Sequence, residues 1–382
     1  MNIGLMGFEL KSANMGCEAL SYAFIDFLNR HYCDKELVIY VFDNALGDLP
    51  SYYSNIKFEY VPYKLRDIKC KFIQSVIKCD LIFDVTMGDS FSDIYSVNYC
   101  LGLIKKKRCV ELFNHRYILM PQTYGPFNND EVKKKAITVI NKANTVISRD
   151  KTSIEYLKSL NVSRDIEEQI DLAFMLPFDK EKYSFDNNKK HLGINVSGLL
   201  WKGGFNSNNQ FGLTIDYKEF IRTLLKRYSN DEQWLIHLIP HVIDLKDDAY
   251  DDDYSTLIML HNEFPNTVLA PAFKDPIDAK SYIANMDCFI GSRMHSTIAA
   301  ISSGIAVIPV SYSRKFEGLF DTLDYSYLIH GRSYDTITAI SKAIEYIDNH
   351  SELQLRVNEI KPAIDSKVES LKSAIRSKLN SI

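Results

Sequence analysis

The sequence places an arginine and a histidine together where a buried strand turns into a helix. In segment 287–297 an apolar run ends at Ile290, Gly291 follows, and Ser292, Arg293 and His295 precede a helical pattern. The first N–H groups of a helix carry partial positive charge, so anions bind there. A guanidinium adds a bidentate donor for carboxylate or phosphate, and an imidazole exchanges protons near neutral pH. We therefore predict Arg293 and His295 as catalytic residues.

Arg149 lies in a comparable position. The tripeptide Ser148-Arg149-Asp150 follows a short apolar strand and precedes a helical pattern. Ser148 or Asp150 can cap that helix, which accounts for both of them but leaves Arg149 unexplained. We predict that Arg149 is a second cationic group for binding substrate.

Polar residues also follow the other predicted strands, where they suit the hydroxyl groups of a sugar. The acceptor-rich segment 84–93 favours hydroxyl recognition or loop structure over Mg²⁺. The acidic run 247–253 lacks the glycine and the spacing of an EF-hand, so it predicts a solvated helix start and no metal site. The predicted binding residues are Arg149, Asn14, Glu18, Asp89, Ser90, Gln122, Tyr124, Asn195, Ser197, His241 and Ser292.

Alternating strands and helices must position these side chains. Short apolar strands at 2–6, 37–42, 80–85, 117–120 and 145–148 alternate with helical patterns, and the same pattern restarts at 191 after an irregular polar stretch. Such alternation predicts parallel βαβ units, with ligands outside the carboxyl ends of the strands. We expect two doubly wound Rossmann-like α/β domains at 1–176 and 191–350, a linker at 177–190, and a cleft between the domains.

The end of the chain, residues 351–382, reads as an amphipathic helix. Its apolar stripe is Val357, Ile360, Ile364, Val368, Leu371, Ile375 and Leu379, and several lysines give it a basic face. Packing on the protein body is the favoured interpretation, and peripheral contact with a membrane surface is the alternative.

Composition narrows the class of protein. The 382 residues are 46% apolar with a formal net charge of −4, which excludes a disordered tail and argues against nucleic acid as the main partner. No run approaches the roughly 18 apolar residues of a membrane span, and no basic leader is present, so we expect a cytoplasmic protein. Seven scattered cysteines without a CxxC pair predict reduced thiols, and the missing GxGxxG fingerprint argues against a dinucleotide-dependent oxidoreductase.

Taken together, these motifs resemble the polysaccharide pyruvyl transferase family. The resemblance rests on blocks in order along most of the chain, and the Ser-Arg-x-His block is the most specific. Cys17 and Met87 depart from the usual family pattern. The matching blocks are Asn14-x-Gly16-x-Glu18-Ala19, Gln122-x-Tyr124-Gly125-Pro126, Ser148-Arg149-Asp150, Gly193-Ile194-Asn195, His241 and Gly291-Ser292-Arg293-Met294-His295.

The resemblance implies a GT-B-like fold and transfer of a pyruvyl group from phosphoenolpyruvate to two hydroxyls of a sugar in a surface polysaccharide or its precursor. Phosphoenolpyruvate is then the donor substrate, with no further cofactor, and it is held by Arg293, His295 and Arg149. The first domain would take the sugar or lipid-linked oligosaccharide acceptor, with peripheral contact at the inner membrane face through the C-terminal helix. Two alternatives stay open: a GT-B glycosyltransferase using a nucleotide sugar, and a non-catalytic scaffold in polysaccharide assembly.

Overall fold

The structure, a computed structural model, divides the chain into two compact units. It describes residues 1–42, 53, 55–63, 70–186, 188–244, 246 and 249–381. The first unit comprises Met1–Lys11, Leu20–Met175 and Ser366–Ile382, and the second comprises Ser12–Ala19 and Leu176–Asp365. Residues 12–19 thus belong to the second unit although they lie near the start of the chain.

A parallel sheet forms the centre of the first unit. Its described strands follow the order β3-β2-β1-β4-β5-β6-β7, so the direction of winding reverses between β1 and β4. The central strands are short apolar runs that are buried on both faces, as parallel sheets require, whereas the two edge strands are partly exposed. They are β1 (Asn2–Met6), β2 (Leu37–Phe42), β3 (Ile56–Tyr60), β4 (Leu81–Asp84), β5 (Tyr117–Gln122), β6 (Thr145–Ser148) and β7 (Ile166–Glu168).

Helices cover this sheet, and three of them begin at a side-chain cap. Asn129 accepts hydrogen bonds from the first-turn N–H groups of one helix, and Asp150 does the same for the next. The caps fix where each helix starts and therefore where the preceding loop ends. The helices are α1 (Met15–His31), α2 (Lys71–Lys78), α3 (Val97–Phe113), α4 (Asp130–Lys142) and α5 (Lys151–Ser159).

The second unit repeats the plan with a parallel sheet in the order β10-β9-β8-β11-β12-β13 among its described residues. Winding here reverses between β8 and β11. Its strands are β8 (Lys190–Asn195), β9 (Trp234–Leu238), β10 (Val268–Leu269), β11 (Cys288–Gly291), β12 (Ala306–Ser311) and β13 (Ile329–His330). Its helices are α6 (Gly198–Trp201), α7 (Tyr217–Tyr228), α8 (Asp253–Glu263), α9 (Pro276–Ile283), α10 (Met294–Ser302), α11 (Arg314–Thr322) and α12 (Thr336–Asp348).

The last helix, α13 (His350–Leu379), contributes residues to both units. Six of the seven predicted stripe residues are buried, and Val368 is half-buried. Several basic side chains are ion-paired, for example Lys378 with Glu167 at 3.1 Å and Lys372 with Glu369 at 2.7 Å. The stripe is therefore covered by protein and is not presented to a membrane. Over the described residues, no helix is long and apolar enough to cross a bilayer.

The prediction of two doubly wound α/β halves is confirmed, while ten elements were missed. They are β3, α2, α3 and β7 in the first unit, and α6, β10, α9, α11, β13 and α12 in the second. The segment expected to be a linker, 177–190, packs within the second unit as far as it is described. The Tyr183 hydroxyl donates to Asp278 at 2.7 Å, and the Asp179 N–H donates to Ser281 at 3.0 Å. Asn187 lies outside the described residues.

Candidate active site

In the second unit, the predicted residues gather where the winding of the sheet reverses. Asn195 at the end of β8 pairs in register with Gly291 at the end of β11. The loops that leave these two strands turn to opposite sides of the sheet, and this opens a crevice of the kind in which α/β proteins bind ligands. Ser197, Ser292 and the start of α10 lie on these loops.

Asn195 ties the two loops together. Its Oδ1 accepts from the Arg293 N–H at 2.9 Å and from the Ser296 hydroxyl at 3.2 Å, while its Nδ2 donates to the Ile239 carbonyl at 2.9 Å. Tyr217 adds a second tie. Its hydroxyl donates to Ser292 at 2.7 Å and accepts from the Ser197 N–H at 3.0 Å. Asn195, Ser197 and Ser292 therefore hold the frame of the site.

Arg293 is buried and already engaged by two carboxylates. Its Nη2 donates to Asp253 at 2.7 Å and also to Asp251, with Nε 3.2 Å from Asp253. Burial by itself would lower the pKa of Arg293, but the charges of Asp253 and Asp251 outweigh it and the pKa is raised. The guanidinium therefore stays charged, yet one positive charge faces two negative ones.

Asp253 is the centre of this arrangement and is fully buried. One oxygen accepts from the Gly198 N–H at 2.8 Å; the other accepts from the N–H groups of His241 and Val242 at 3.1 and 3.0 Å. The acidic run does start a helix, as predicted, because Asp252 caps α8. The expectation that this start is solvated is wrong, because Asp252 and Asp253 are buried and Asp253 turns inward to Arg293. Asp247 and Asp248 of that run lie outside the described residues.

His241 lies beyond the end of β9, buried beside this cluster. Within the described part of the chain, neither of its ring nitrogens has a hydrogen-bond partner. Burial lowers the pKa of His241 well below its ordinary value, and the nearby charges of His295 and Arg293 lower it further. The ring is therefore neutral at neutral pH, with one N–H donor and one acceptor available to a ligand.

The loop at 12–19 packs against both histidines. The Met15 N–H donates to the His241 carbonyl at 3.0 Å, and Asn14 forms a bridge with Val242. A Cβ on Gly16 would lie 2.4 Å from Nδ1 of His295, so glycine is needed for this close approach. The residue types Asn14 and Gly16 are thus explained by how the loop meets the histidines.

Asn14 and Glu18 shape this loop. Oδ1 of Asn14 accepts from the Gly16 N–H at 2.9 Å, and Oε1 of Glu18 accepts from the Ser12 N–H at 2.8 Å. Both residues were predicted to bind substrate; in the structure these atoms hold the turn that leads into α1.

In the first unit, Arg149 is buried at the end of β6. Its Nη1 pairs with Asp171 at 2.5 Å and its Nε donates to Thr123 at 3.0 Å, while Nη2 has no partner among the described residues. Burial would lower the pKa of Arg149, but Asp171, Asp89 and Asp150 outweigh it and the pKa is raised. A charged Nη2 with donors to spare can bind an anionic or hydroxyl group.

The turn after β4 packs against the guanidinium of Arg149. Thr86 and Met87 have φ values of 43° and 52°, a left-handed conformation that costs free energy for such residues. A Cβ on Gly88, where φ is 82°, would lie 2.8 Å from Nη1 of Arg149. The strained turn therefore brings backbone directly against the arginine.

A fully buried lysine holds this turn and was missed in the sequence. Lys107 of α3 donates to Asp84 at 2.5 Å and to the Thr86 hydroxyl at 2.6 Å. Asp84 also accepts from the Thr86 N–H at 2.9 Å and from the Tyr117 hydroxyl. A run of four basic residues gives no hint that one of them points into the sheet.

The other predicted residues of the first unit have varied places. Tyr124 is buried, and its hydroxyl donates to the Ile147 carbonyl at 3.0 Å. Gln122 is buried, with Nε2 donating to the Asp84 carbonyl at 3.0 Å. Asp89 is half-buried and accepts from Tyr95 at 3.2 Å, and the Ser90 N–H donates to Thr86. The Tyr124 hydroxyl and the Gln122 Nε2 are thus used in hydrogen bonds that stabilise the fold.

A cavity of about 160 Å³ lies at the carboxyl edge of this sheet. It is next to the point where winding reverses between β1 and β4, and it is lined by Gly7, Glu9, Thr86, Met87, Tyr99 and Lys106 among others. Both polar residues, such as Glu9, Thr86 and Lys106, and apolar ones, such as Met6 and Met87, line it.

The structure thus forms two separate groups of predicted residues. The second unit brings together Asn14, Glu18, Asn195, Ser197, His241, Ser292, Arg293 and His295, and the first holds Asp89, Ser90, Gln122, Tyr124 and Arg149. The partners Asp253, Asp171 and Lys107 were missed, because contacts over such distances in sequence leave no local pattern.

Similar solved structures cover the whole chain. They include HepE from Anabaena in complex with UDP and glucose, with 13% identity, coverage of 100% of this chain and 99% of that one, and a TM-score of 0.60. UDP-GlcNAc 2-epimerase from Neisseria meningitidis, bound to UDP-GlcNAc, has 11% identity, full coverage of both chains and a TM-score of 0.58. At such identities the similarity establishes the fold, which is GT-B.

The family follows from the sequence itself. No curated protein matches the chain. The model of the polysaccharide pyruvyl transferase family, however, matches residues 14–314, from the loop that packs on the two histidines to the start of α11. This span includes Arg149, the Asn195 frame and the turn that carries Arg293 and His295. The chain therefore belongs to the polysaccharide pyruvyl transferase family and is a transferase.

Proposed function

We propose that the protein transfers a pyruvyl group from phosphoenolpyruvate to two hydroxyls of one sugar in a surface polysaccharide or its precursor. The products are a cyclic ketal and phosphate. Family membership supports the reaction class. The observation that carries the proposal is the buried ring of His241, which has no hydrogen-bond partner among the described residues and lies beside His295 and Arg293 at the reversal point of the second sheet.

The donor needs a site for a carboxylate and a phosphate. A neutral His241 offers one N–H to such an oxygen, and its other nitrogen can accept from a hydroxyl. His295 lies in the first turn of α10, where the free N–H groups favour an anion. We propose that these groups together bind the donor, which has no base or ribose to be recognised.

Arg293 takes part through its two aspartates. Asp253 is fully buried and fixes the guanidinium, whereas the Asp251 side chain is 28% exposed. We propose that the donor anion takes the place of Asp251 on the guanidinium, while Asp253 keeps the arginine in position. The exchange leaves the buried charge paired throughout, which avoids the cost of an isolated ion.

The chemistry balances around two proton transfers. A proton adds to the methylene carbon of phosphoenolpyruvate as one sugar hydroxyl bonds to C2, and the proton that this hydroxyl loses replaces the one that was added. The C2–O bond to phosphate then breaks, the second hydroxyl bonds to C2, and its proton leaves with the phosphate. We propose His295 as the group that moves a proton at the methylene carbon, a role worth about 10²–10⁴-fold in rate.

Arg149 and the cavity of the first unit are proposed to serve substrate binding. Nη2 of Arg149 supplies donors to an anionic group, and the cavity beside Thr86 and Tyr99 accepts sugar hydroxyls. The strained turn at Thr86 and Met87 keeps these donors and acceptors in a fixed arrangement.

The test measures binding and turnover separately. Isothermal titration compares phosphoenolpyruvate with UDP- and GDP-sugars, and phosphate release is followed with a panel of glycan acceptors. We expect His241→Gln and His295→Gln to lower turnover about 10²-fold or more. His261→Gln, a half-buried histidine of α8 whose ring bonds Thr267, is the matched control and should keep wild-type turnover.

Each other result has a definite meaning. Wild-type turnover in both variants, with folding checked by circular dichroism, would contradict the proposed roles. Binding of nucleotide sugars without binding of phosphoenolpyruvate would favour a glycosyltransferase. No binding and no phosphate release with any acceptor would favour a scaffold.

A further inference from the structure

The exposed apolar side chains of the protein are concentrated in one short segment. Of twelve large apolar residues that are exposed in the described chain, four lie within residues 94–99, directly before and within the first turn of α3. Ile94 and Tyr95 are 50% and 51% exposed, and Val97 and Tyr99 lie in the same stretch. Single exposed apolar residues are ordinary, but a contiguous group marks an interaction surface.

The outward face of α3 continues this surface. Val97, Leu101, Lys105, Arg108 and Leu112 follow at steps of three and four residues, so they share one side of the helix. All are exposed or half-buried, and Leu112 is 70% exposed. A helix that packs on a sheet normally turns polar residues to water. Here the outer face carries apolar groups at both ends and cations between them.

The charge of this face is one-sided. The acidic residue of α3, Glu111, has Oε1 buried, and Lys107 is turned inward to Asp84. Among the described residues, neither Lys105 nor Arg108 is in an ion pair. On α13, by contrast, basic side chains are matched by acids nearby. The outer face of α3 thus combines exposed apolar groups with Lys105 and Arg108, although Arg108 is near enough to Glu111 for its charge to lower the pKa of that carboxyl.

We propose that this surface, the α3 patch (Ile94, Tyr95, Val97, Lys105, Arg108 and Leu112), docks the protein on an anionic lipid bilayer. Helices that lie on membranes show this pattern: their apolar side chains enter the interface, their tyrosines lie at headgroup level, and their cations face anionic lipids. The positive charge decides for an anionic bilayer over an uncharged apolar partner. The apolar stripe of α13, being buried, has no part in it.

The patch meets the cavity of the first unit at the amino-terminal end of α3, where exposed Tyr99 lines the cavity beside Val97; the other cavity-lining residues of α3 lie on the opposite side of the helix. Tyr99, Leu103, Lys106 and Lys107 of α3 all line that cavity. This step rests on the proposed function: docking would bring the cavity proposed for the acceptor close to the membrane surface. A lipid-linked sugar could then reach the cavity with its lipid still in the bilayer.

Vesicle cosedimentation tests the docking without donor or acceptor. The full chain is mixed with phosphatidylglycerol–phosphatidylethanolamine vesicles and, separately, with phosphatidylcholine vesicles. We expect binding to the anionic vesicles that weakens with added salt, and little binding to phosphatidylcholine. Lys105→Gln and Arg108→Gln should each lower the partition constant about five-fold. Ile94→Ser with Leu112→Ser should lower it about ten-fold or more.

A matched control comes from the second unit. Ile337→Ser with Leu355→Ser removes apolar side chains that are 78% and 64% exposed, and should leave vesicle binding unchanged. An equal loss in the control and patch variants, equal binding to both vesicle types, or no vesicle binding would overturn the proposal. The proposal would also be overturned if ultracentrifugation showed that the wild type is a dimer, that the patch variants are monomers, and neither bound vesicles. Because no substrate is used, failure of pyruvyl transfer leaves this result intact.

Discussion

Replacing Asp253 with asparagine tests the central claim about the second unit, that one buried carboxylate holds the site together. One Asp253 oxygen accepts from the Gly198 N–H and Arg293 Nη2, the other from the N–H groups of His241 and Val242. An amide keeps one oxygen and turns the other into a donor, so one of these two sets loses its acceptor. Arg293 loses its buried counter-ion as well.

The size of the effect follows from burial. Removing one partner of a buried ion pair costs about 3–5 kcal/mol. For a unit of this size about 1 kcal/mol corresponds to roughly 2–4 °C in Tm, so we expect Asp253→Asn to lower Tm by roughly 6–20 °C. Asp251→Asn is the matched control. Its side chain is 28% exposed and Arg293 keeps Asp253, so it should cost about 1 kcal/mol or less.

Tryptophan fluorescence during urea or thermal unfolding is the assay. Both tryptophans of the chain, Trp201 and Trp234, lie in the second unit, so their emission reports on the unit that contains Asp253. Equal losses of stability in the two variants, or a loss below about 1 kcal/mol for Asp253→Asn, would show that the buried carboxylate does not hold the site together.

Three further predictions address separate features. Lys107→Met strands a buried carboxylate and should cost about 3–5 kcal/mol in urea unfolding followed by circular dichroism. Burial raises the pKa of Glu111 from 4.5 to about 7, although nearby cations oppose the shift. The folded protein therefore binds the proton more tightly than the unfolded chain, and the stability that this adds at low pH is lost as the pH rises from about 4.5 to 7. Wild type should therefore lose more thermal stability than Glu111→Gln between pH 5 and pH 8. Gly16→Ala should displace the His295 ring and weaken donor binding in calorimetry at least ten-fold, whereas Gly102→Ala, with open space around it, should not.

Contrary outcomes are equally specific. Wild-type stability in Lys107→Met would mean that the lysine contributes no net pairing energy. Parallel pH profiles for Glu111→Gln and wild type would mean that the carboxyl titrates normally in the folded protein. Equal donor affinity in the Gly16→Ala and Gly102→Ala variants would separate the loop at 12–19 from the site.

The sequence allowed the central strands of both sheets and the residues that follow them to be predicted, whereas the edge strands β3, β7, β10 and β13 were missed. Strands buried on both faces are short apolar runs, and the polar residue after each run marks the carboxyl edge of the sheet. Asn195, Arg149 and Arg293 were all placed at strand ends in this way. Helix α3 was missed because its outer face is partly apolar, which blurs the contrast that normally reveals a helix on a sheet.

What the sequence hid were the partners of the charged groups. Arg293 could be read as a free cation at a helix start, but Asp253 lies 40 residues away and turns inward only in the folded unit. The same holds for Arg149 with Asp171, 22 residues apart. A local pattern tells which residues stand at a sheet edge, and tertiary contacts decide how much of their charge is left for a substrate.

The way the chain is shared between the units has a consequence for biosynthesis. Residues 12–19 complete the second unit, and residues 366–382 complete the first. During translation the amino-terminal half therefore emerges without its last helical segment. A carboxyl-terminal fragment that begins near residue 176 would lack the loop at 12–19, on which the two histidines pack. The halves cannot mature one after the other on the ribosome, and nascent chains should remain sensitive to protease until synthesis has passed α13.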